Sequence, residues 1–189
     1  MLIHEMKEFH LVGGTALSLM YGHRMSIDLD LFSTMPFDNK TITDSLINQF
    51  NEHYNTRISS KFGIFGFVDA LKIDIVRYPH PLIRPTLEID GIRLFSVEDI
   101  MAMKIQAILG RGKKKDFWDI AELLKHFSVD DFVRFHKEKF STQNLIITVP
   151  QAMLYFADSE EDEDPISLQG QSWASVKQFI QKKVADYLK

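Results

Sequence analysis

The chain contains no cysteine. This absence excludes disulfide bonds, zinc sites built on thiolates and cysteine nucleophiles. The sequence also has no apolar run that approaches the length of a membrane span, and its N-terminus does not show the pattern of a secretory signal peptide. We therefore expect a cytoplasmic protein that does not enter a membrane.

The sequence has no large excess of charge of either sign. Its formal net charge is −4 at pH 7, which argues against bulk electrostatic attraction to nucleic acid but leaves room for a local basic patch that contacts RNA. With 189 residues, of which 45% are hydrophobic and 25% charged, the composition is typical of an ordinary globular protein. This length is enough for one domain with a substantial core, or for one domain with a helical appendage.

The hydrophobic period changes near residue 95, from about two to about three and a half. Before this point the pattern predicts strands at 8–12, 26–32, 62–68 and 71–78, a hairpin across 87–95, and helices at 15–21 and 38–51, the second capped by Asp38. Beyond it the pattern predicts helices at 100–109, 116–126, 128–140, 150–156 and 172–188, and we interpret the acidic run at 158–164 as a solvated linker. The sequence thus indicates an α+β core at 1–95, followed by an α-helical domain at 96–189.

The most informative segment lies between residues 13 and 32. Asp28 and Asp30 are two positions apart in a predicted strand, so both acids lie on one face. The apolar residues that alternate with them are predicted to face the core: Ile27, Leu29 and Leu31. Two adjacent carboxylates repel each other unless a cation lies between them, and a hard divalent ion such as Mg²⁺ or Mn²⁺ suits oxygen ligands. We therefore predict a metal site at Asp28 and Asp30.

A Gly-Gly turn precedes this pair of acids. Gly13 and Gly14 lead into Thr15, which opens a predicted helix, and bare N–H groups at a helix N-terminus are suited to phosphate oxygens. A phosphate-binding turn together with metal-binding acids indicates phosphoryl or nucleotidyl transfer. Ser26 is placed to hydrogen-bond one of the acids or the nucleotide.

Asp74 is a candidate for a third acid. It lies between two isoleucines in a predicted strand, so it faces away from the core. In two-metal transfer, one ion holds the triphosphate and the other lowers the pKa of the attacking hydroxyl. Asp74 would hold the second ion, and the two earlier acids would bridge both. The alternative is a surface acid paired with Lys72 or Arg77, and the strand pattern by itself leaves both roles open.

Taken together, these motifs resemble the first motif of the AbiEii/AbiGii-type toxins, which belong to the nucleotidyltransferase superfamily that includes DNA polymerase β. Further matches to that family follow in order along the chain. The matching residues are Gly13-Gly14-Thr15-Ala16-Leu17, Gly22-His23-Arg24, Ser26, Asp28-Leu29-Asp30-Leu31-Phe32, Lys104, Arg111, Lys115-Asp116-Phe117-Trp118-Asp119-Ile120 and Leu154-Tyr155-Phe156-Ala157-Asp158. The resemblance implies a polymerase β-like nucleotidyltransferase fold, with a mixed sheet, flanking helices and an α-helical C-terminal part.

The resemblance also implies a role for each motif. The implied nucleotide-binding residues are Gly13, Gly14, Thr15, Ser26, Lys104 and Arg111, and the implied metal ligands are Asp28, Asp30 and Asp74. Lys104 would stabilise charge on the leaving pyrophosphate, although a lysine in a helix is by default a surface residue. Arg111 lies in a basic loop and would contact the triphosphate or an acceptor RNA, the alternative being a solvated connector. An acid in the next helix would orient Lys104 or act as a base, and Asp116 fits the motif better than Asp119.

These observations lead to one main functional prediction and one alternative. The main prediction is a metal-dependent nucleotidyltransferase that uses an NTP and acts as the toxin of a toxin–antitoxin or phage-defence system, with a cognate antitoxin as its protein partner. The resemblance implies the 3′ end of a tRNA as a candidate acceptor. The alternative is a non-catalytic module of the same fold that binds a nucleotide or a protein. The 15 phenylalanines, at helical or strand spacing, are predicted to lie in the core rather than to stack on bases.

Overall fold

The computed structural model describes residues 3–189 and divides into two compact units, each assembled from segments that are distant in sequence. Among the described residues, the first unit comprises 3–16 together with Ser26–Pro81 and Pro85–Ser96. The second unit comprises Leu17–Met25, Leu82–Arg84 and Val97–Lys189. In the part of the chain that the structure describes, no helix is both long enough and apolar enough to cross a membrane.

The first unit is built on a mixed β-sheet, with seven strands among the described residues. The strands are β1 (His10–Val12), β2 (Leu29–Ser33), β3 (Tyr54–Ser60), β4 (Gly63–Val68), β5 (Leu71–Arg77), β6 (Leu87–Ile89) and β7 (Ile92–Leu94). Their order across the sheet is β3-β4-β5-β2-β1-β7-β6. β2 runs parallel to β5 and β1 runs parallel to β7, whereas the other neighbouring pairs are antiparallel. The predicted α+β class with a mixed sheet is therefore confirmed.

One face of the sheet forms an apolar core. The residues of β4 and β5 that supply this face are almost completely buried: Ile64, Ile73 and Ile75. Burial of each such side chain stabilises the fold by about 1.5–3 kcal/mol. Helix α2 (Asn39–Phe50) packs against β3 and β4, and Asp38 caps it as predicted, because its carboxylate accepts a hydrogen bond from the Thr41 N–H at 2.8 Å. The residues of β4 and β5 that alternate with the buried ones lie on the opposite face.

The second unit is helical. It contains the C-terminal part of α1 (Gly13–Tyr21) and the helices α3 (Val97–Gly110), α4 (Lys114–Leu123), α5 (Val129–Lys139), α6 (Val149–Met153) and α7 (Trp173–Tyr187). α3 packs against α4, α5 and α6, and α4 packs against α7. Between α4 and α7, the Trp118 and Trp173 rings stack with their centroids 5.8 Å apart and an interplanar angle of 10°. The helical period of the C-terminal half is therefore confirmed, with ends that differ by a few residues.

Strand β3 is not predicted from the sequence. Its residues, Tyr54–Ser60, are mostly polar and exposed, so they show no apolar alternation. The strand forms because it pairs with β4, with a β-bulge between Thr56 and Ile58 that makes Arg57 the extra residue. Its partner strand, rather than its own pattern, determines its conformation.

Most acids of the run at 158–164 are exposed to solvent as predicted, but the run also contacts two helices, so its interpretation as a simple linker is wrong. Lys114, the first residue of α4, donates its N–H to Asp162 Oδ2 at 3.1 Å and its ammonium to Asp164 Oδ1 at 2.9 Å. Glu160 accepts a hydrogen bond from the Trp173 indole N–H at 3.0 Å. These acids therefore cap the N-terminus of α4 and bind α7. The sequence does not show these contacts, because the partners of the run lie far away along the chain.

Candidate functional site

Asp30 and Asp74 are directly opposite each other on the parallel strands β2 and β5. Directly paired residues lie on the same face of a sheet, so the two carboxylates are neighbours on the face opposite to the apolar core. Lys72 donates a hydrogen bond to Asp74 Oδ2. Asp74 Oδ1 is buried and has no hydrogen-bond partner among residues 3–189. A buried carboxylate oxygen without a donor is costly, which makes this pair of acids a candidate cation site.

The strand around Asp28 is shorter than predicted. β2 begins at Leu29, and Ile27 is 64% exposed instead of lying in the core, so the prediction for Ile27 is wrong. The period of two applies only within the strand, and Asp28 belongs to the loop before it. The main-chain carbonyl of Asp28 accepts a hydrogen bond from Thr15 Oγ1 at 2.5 Å, and the same hydroxyl lies 2.9 Å from Ser26 Oγ. Thr15 and Ser26 thus fix the loop that leads into the acidic strand.

The first residue of α1 brings the main chain close to Asp30. Gly13 is the first residue of the helix and has a φ of +71°, a left-handed conformation that favours glycine. A Cβ atom at Gly13 would lie 2.9 Å from Asp30 Oδ2. Gly14 follows as a buried second residue of the helix. The missing side chain at Gly13 therefore allows the Asp30 carboxylate to approach the N-terminus of α1.

Replacing Gly13 by alanine is expected to displace the Asp30 carboxylate. The left-handed conformation costs an L-residue about 1–2 kcal/mol, and the new Cβ would press on Asp30 Oδ2. We expect Gly13→Ala to lower the free energy of unfolding by that amount, and to weaken Mn²⁺ binding on the order of tenfold because a displaced ligand binds metal poorly. Denaturant unfolding measures the first effect, and titration of Mn²⁺ followed by electron paramagnetic resonance measures the second.

Gly91→Ala is the matched control for this substitution. Gly91 has a φ of +74°, but a Cβ there would meet nothing within 4 Å. The free energy of unfolding of Gly91→Ala should therefore fall by about as much as that of Gly13→Ala. Its Mn²⁺ affinity should equal that of the wild type. Equal Mn²⁺ affinities in the wild type and in Gly13→Ala would contradict a role for this close approach.

A cluster of charged side chains is buried in the helical unit around Asp119 of α4. Asp119 Oδ1 accepts hydrogen bonds from His23 Nε2 and from Arg24 Nε, each at 2.7 Å. Asp119 Oδ2 accepts from Arg24 Nη2 at 2.9 Å and lies 2.5 Å from Lys104 Nζ. Because an ionised carboxylate only accepts hydrogen bonds, His23 must donate from Nε2. All four side chains are buried, so Asp119 ties the loop after α1 to helices α3 and α4.

Asp116 shares Lys104 with Asp119. Its Oδ1 accepts a hydrogen bond from Lys104 Nζ at 2.9 Å, and its Oδ2 accepts one from Arg111 Nε at 3.2 Å. Burial alone would lower the pKa of Lys104, but the carboxylates of Asp119 and Asp116 outweigh burial and raise it. Burial alone would raise the pKa of both carboxyl groups, but Lys104 outweighs burial, aided by Arg111 at Asp116 and by His23 and Arg24 at Asp119, so that the pKa of each carboxyl group is lowered. Lys104, Asp116 and Asp119 are therefore all ionised at neutral pH.

The residues predicted from the sequence fall into two groups. The first unit holds Gly13, Gly14, Thr15, Ser26, Asp28, Asp30 and Asp74, and the second unit holds Lys104, Arg111 and Asp116. The pairing of His23 and Arg24 with Asp119 has no sequence signal, because these partners lie 96 and 95 residues away from it. The contact between Lys72 and Asp74 does have a signal, since a strand period of two places both side chains on one face.

The acid pair has the chemistry of a divalent cation site. Among residues 3–189, no group of three His, Cys, Asp or Glu side chains is arranged to hold a metal ion. Asp30 and Asp74, with the partnerless Asp74 Oδ1, nevertheless fit a hard cation that takes oxygen ligands. The set of three acids that includes Asp28 stays a prediction.

The fold is that of the nucleotidyltransferases. MenT4, a nucleotidyltransferase toxin from Mycobacterium tuberculosis H37Rv, superposes with a TM-score of 0.60 at 14% sequence identity, over 94% of this chain and 74% of that one. JHP933 from Helicobacter pylori superposes with a TM-score of 0.55 at 20% identity, over 96% of this chain and 87% of that one. At these identities the similarity establishes the fold alone.

Sequence comparison establishes the family. An uncharacterised protein from Aquifex aeolicus strain VF5 is 33% identical over 193 residues, which cover 96% of this chain and 88% of that protein. The model of the family described as nucleotidyl transferase AbiEii toxin, type IV toxin–antitoxin system, matches residues 2–186. The chain therefore belongs to the AbiEii nucleotidyltransferase toxin family. Nucleotidyltransferases of this family generally use an NTP and a divalent metal ion, and membership of a type IV toxin–antitoxin system implies an antitoxin partner.

Proposed function

We propose that the chain transfers a nucleotidyl group from an NTP to a hydroxyl group of an RNA acceptor, and that this reaction is the basis of its toxicity. The candidate acceptor is the 3′ end of a tRNA. The observation that carries the proposal is the parallel register of Asp30 and Asp74, which pairs two carboxylates next to the glycine turn that opens α1. Both acids lie opposite to the apolar core face, so the packing of the sheet gives no reason for the pair.

The residues that would hold a divalent metal are Asp30 and Asp74, with Asp28 as the third ligand. When bound, Mg²⁺ or Mn²⁺ would neutralise phosphate charge and lower the pKa of the acceptor hydroxyl. The bond that forms joins the acceptor oxygen to the α-phosphorus, and the bond that breaks releases pyrophosphate. The buried, partnerless Oδ1 of Asp74 supports this assignment.

We assign the triphosphate to the N-terminus of α1. Gly13 and Gly14 carry main-chain N–H groups at this end of the helix, where the helix dipole favours negative charge. Thr15 and Ser26, whose hydroxyl oxygens are 2.9 Å apart, would hold the adjacent loop in place around the phosphates. These residues would bind and orient the nucleotide.

Lys104, Asp116 and Arg111 are assigned to charge stabilisation, so the helical domain at 96–189 would supply residues to the reaction. Lys104 would balance charge on the leaving pyrophosphate, and Asp116 would orient its ammonium group. The 2.9 Å contact between Lys104 Nζ and Asp116 Oδ1 supports the orienting role. Arg111 is the exposed cation of this cluster and is assigned to the triphosphate or to the acceptor backbone.

The experiment that tests this function incubates the protein with total tRNA, Mg²⁺ and each α-³²P-labelled NTP in turn, and resolves the RNA on a gel. We expect label on the RNA with a preferred nucleotide, and no label above background with Asp30→Ala, which lacks one of the two paired carboxylates. Asp90→Asn is the matched control. Asp90 is an exposed acid at a hairpin turn of the same sheet, and its φ of 50° is one that asparagine tolerates.

Two outcomes would contradict this proposal. Label that persists in Asp30→Ala would reject the acid pair as the reaction centre. NTP binding in the presence of Mg²⁺, without transfer to any RNA, would favour the non-catalytic binding module instead.

A further inference from the structure

The sheet face that carries Asp30 and Asp74 continues over β4 with two aromatic side chains. Phe65 is directly opposite Asp74, and Phe67 is directly opposite Lys72. Because directly paired residues share a face, both phenylalanines lie on the acidic side of the sheet and not on its apolar core side. Phe65, Asp74 and Asp30 therefore form one row across three neighbouring strands.

Neither of these rings is fully buried, so the prediction that the phenylalanines lie in the core is wrong for this pair. The Arg57 guanidinium lies over the Phe67 ring, 4.8 Å from its centroid. Arg57 is the extra residue of the bulge in β3, and bulges redirect a side chain that regular pairing would send elsewhere. Ile58, the next residue, pairs with Phe65 and is 58% exposed. This part of the face thus combines accessible apolar surface with a cation.

We propose that Arg57, Phe65, Phe67 and Lys72 form a stacking face for the unpaired 3′ end of a single-stranded RNA acceptor. Bases near that end would stack on Phe65 and Phe67, and the two cations would contact its phosphates. The inference rests on the proposed function and adds to it the place where the acceptor lies.

The position of Phe65 supports this choice of ligand. Asp74 is the acid assigned to the attacking hydroxyl, and Phe65 is its direct neighbour on the next strand. A nucleotide whose hydroxyl lies at Asp74 therefore has an aromatic ring within reach of its base. Phe65 and Phe67 are separated by about 7 Å along the strand, which leaves room for one base on each ring.

The chemistry of the face also favours nucleic acid. Every base has a π-face, so stacking on aromatic side chains binds single strands of any sequence, and an arginine next to the ring adds attraction for phosphate. Lys72, which is 44% exposed, supplies a second cation beside Phe67. The protein is acidic as a whole, with a net charge of −4, so attraction for phosphate at this face would come from these two local cations.

The test measures RNA binding directly, by fluorescence anisotropy of a short, fluorescein-labelled, single-stranded RNA of mixed sequence at low salt. Phe65→Leu and Phe67→Leu keep an apolar side chain but remove the ring. We expect each variant to bind the RNA on the order of tenfold more weakly, and the double variant to bind more weakly still. NTP binding should not change. A duplex of the same sequence should bind weakly and should not respond to the substitutions, because its bases are already stacked.

Phe179→Leu is the matched control. Phe179 of α7 is also partly buried, and Lys183 Nζ lies 5.4 Å from its ring centroid, so the chemistry is similar but the location differs. Its RNA affinity should equal that of the wild type. Arg57→Gln is a further variant that leaves both rings in place, and it should bind RNA several-fold more weakly with a smaller salt dependence.

The outcomes separate this inference from the proposed function. Unchanged RNA binding by the double variant, or equal binding of single strand and duplex by the wild type, would overturn the stacking face. A changed oligomeric state in light scattering, with RNA binding unchanged, would assign the face to a second copy of the chain and would also overturn it. Loss of RNA binding in the variants, with no nucleotidyl transfer by the wild type, would support the stacking face and reject the proposed function. Nucleotidyl transfer by the variants at the rate of the wild type would support the proposed function and reject the stacking face.

Discussion

Asp119→Asn is expected to lower the free energy of unfolding by about 3–5 kcal/mol, a large part of the roughly 5–15 kcal/mol that keeps a domain folded. Asparagine has almost the same volume, but it lacks the charge that balances Lys104 and Arg24 in a buried position. Its amide N–H groups would also face donors, because every hydrogen bond to Asp119 is donated by its partner. Urea denaturation at neutral pH, followed by circular dichroism, measures this effect.

The matched control for this substitution is Asp130→Asn. Asp130 is an exposed acid in the first turn of α5, and surface substitutions of this kind usually change the free energy of unfolding by less than about 0.5 kcal/mol. An Asp119→Asn effect as small as that of the control would mean that the buried charges do not stabilise the fold.

The pH dependence of unfolding provides a second readout for Asp119. Lys104 and the hydrogen bonds from His23 and Arg24 outweigh burial and lower the pKa of Asp119 in the folded state. The ionised carboxylate therefore contributes its full stabilisation above the unfolded-state pKa of about 3.9, and this contribution is lost as the pH falls towards the lower folded-state pKa. The difference between wild type and Asp119→Asn should be complete at neutral pH and should narrow below about pH 4.

Asp74→Asn is expected to reduce the rate of nucleotidyl transfer on the order of 1,000-fold, because a metal ion contributes several kcal/mol to such a reaction and each 1.36 kcal/mol is about tenfold. The variant should also bind Mn²⁺ at least about tenfold more weakly. The fold should persist, since Asp74 lies opposite to the apolar core and its Oδ1 makes no hydrogen bond to residues 3–189. Single-turnover labelling of RNA measures the rate, and electron paramagnetic resonance measures Mn²⁺ binding.

Lys72→Met should act in the opposite direction on metal binding. Lys72 hydrogen-bonds Asp74 Oδ2, so the ammonium group and a metal ion compete for the same carboxylate. Removing the ammonium group is expected to tighten Mn²⁺ binding a few-fold, a modest change because Lys72 is 44% exposed and its ion pair is partly screened. Equal Mn²⁺ affinities in Asp74→Asn, Lys72→Met and the wild type would contradict the assignment of the metal to this acid.

The features that local sequence determines were predicted well. The left-handed glycine at position 13, the cap at Asp38 and the two strands that carry Asp30 and Asp74 follow from glycine conformation, capping chemistry and a period of two. Helix α1 begins at Gly13, two residues before the predicted start at Thr15. The strand prediction is wrong at Ile27, two residues before Leu29, where the pairing of β2 begins. Alternation in the sequence continues past the end of a strand, but the hydrogen bonds that enforce it do not.

The features that depend on distant partners were not predicted. Strand β3 is polar and forms against β4, and the acidic run at 158–164 is ordered by residues of α4 and α7. Lys104 is only 5% exposed, because two acids of the next helix neutralise it. A lysine is normally solvated, and only the position of the two acids in the fold explains why Lys104 is buried.

The capping of α4 by the acidic run has a consequence for synthesis of the protein. Asp164 follows Lys114 by 50 residues, so on the ribosome the helix that bears Asp116 and Asp119 is made long before the carboxylates that complete its first turn. Until the acidic run has emerged, the main-chain N–H of Lys114 lacks the carboxylate of Asp162 and has only water as a partner. The nascent chain therefore carries Asp116 and Asp119 well before the contacts between Lys114 and the acidic run can form.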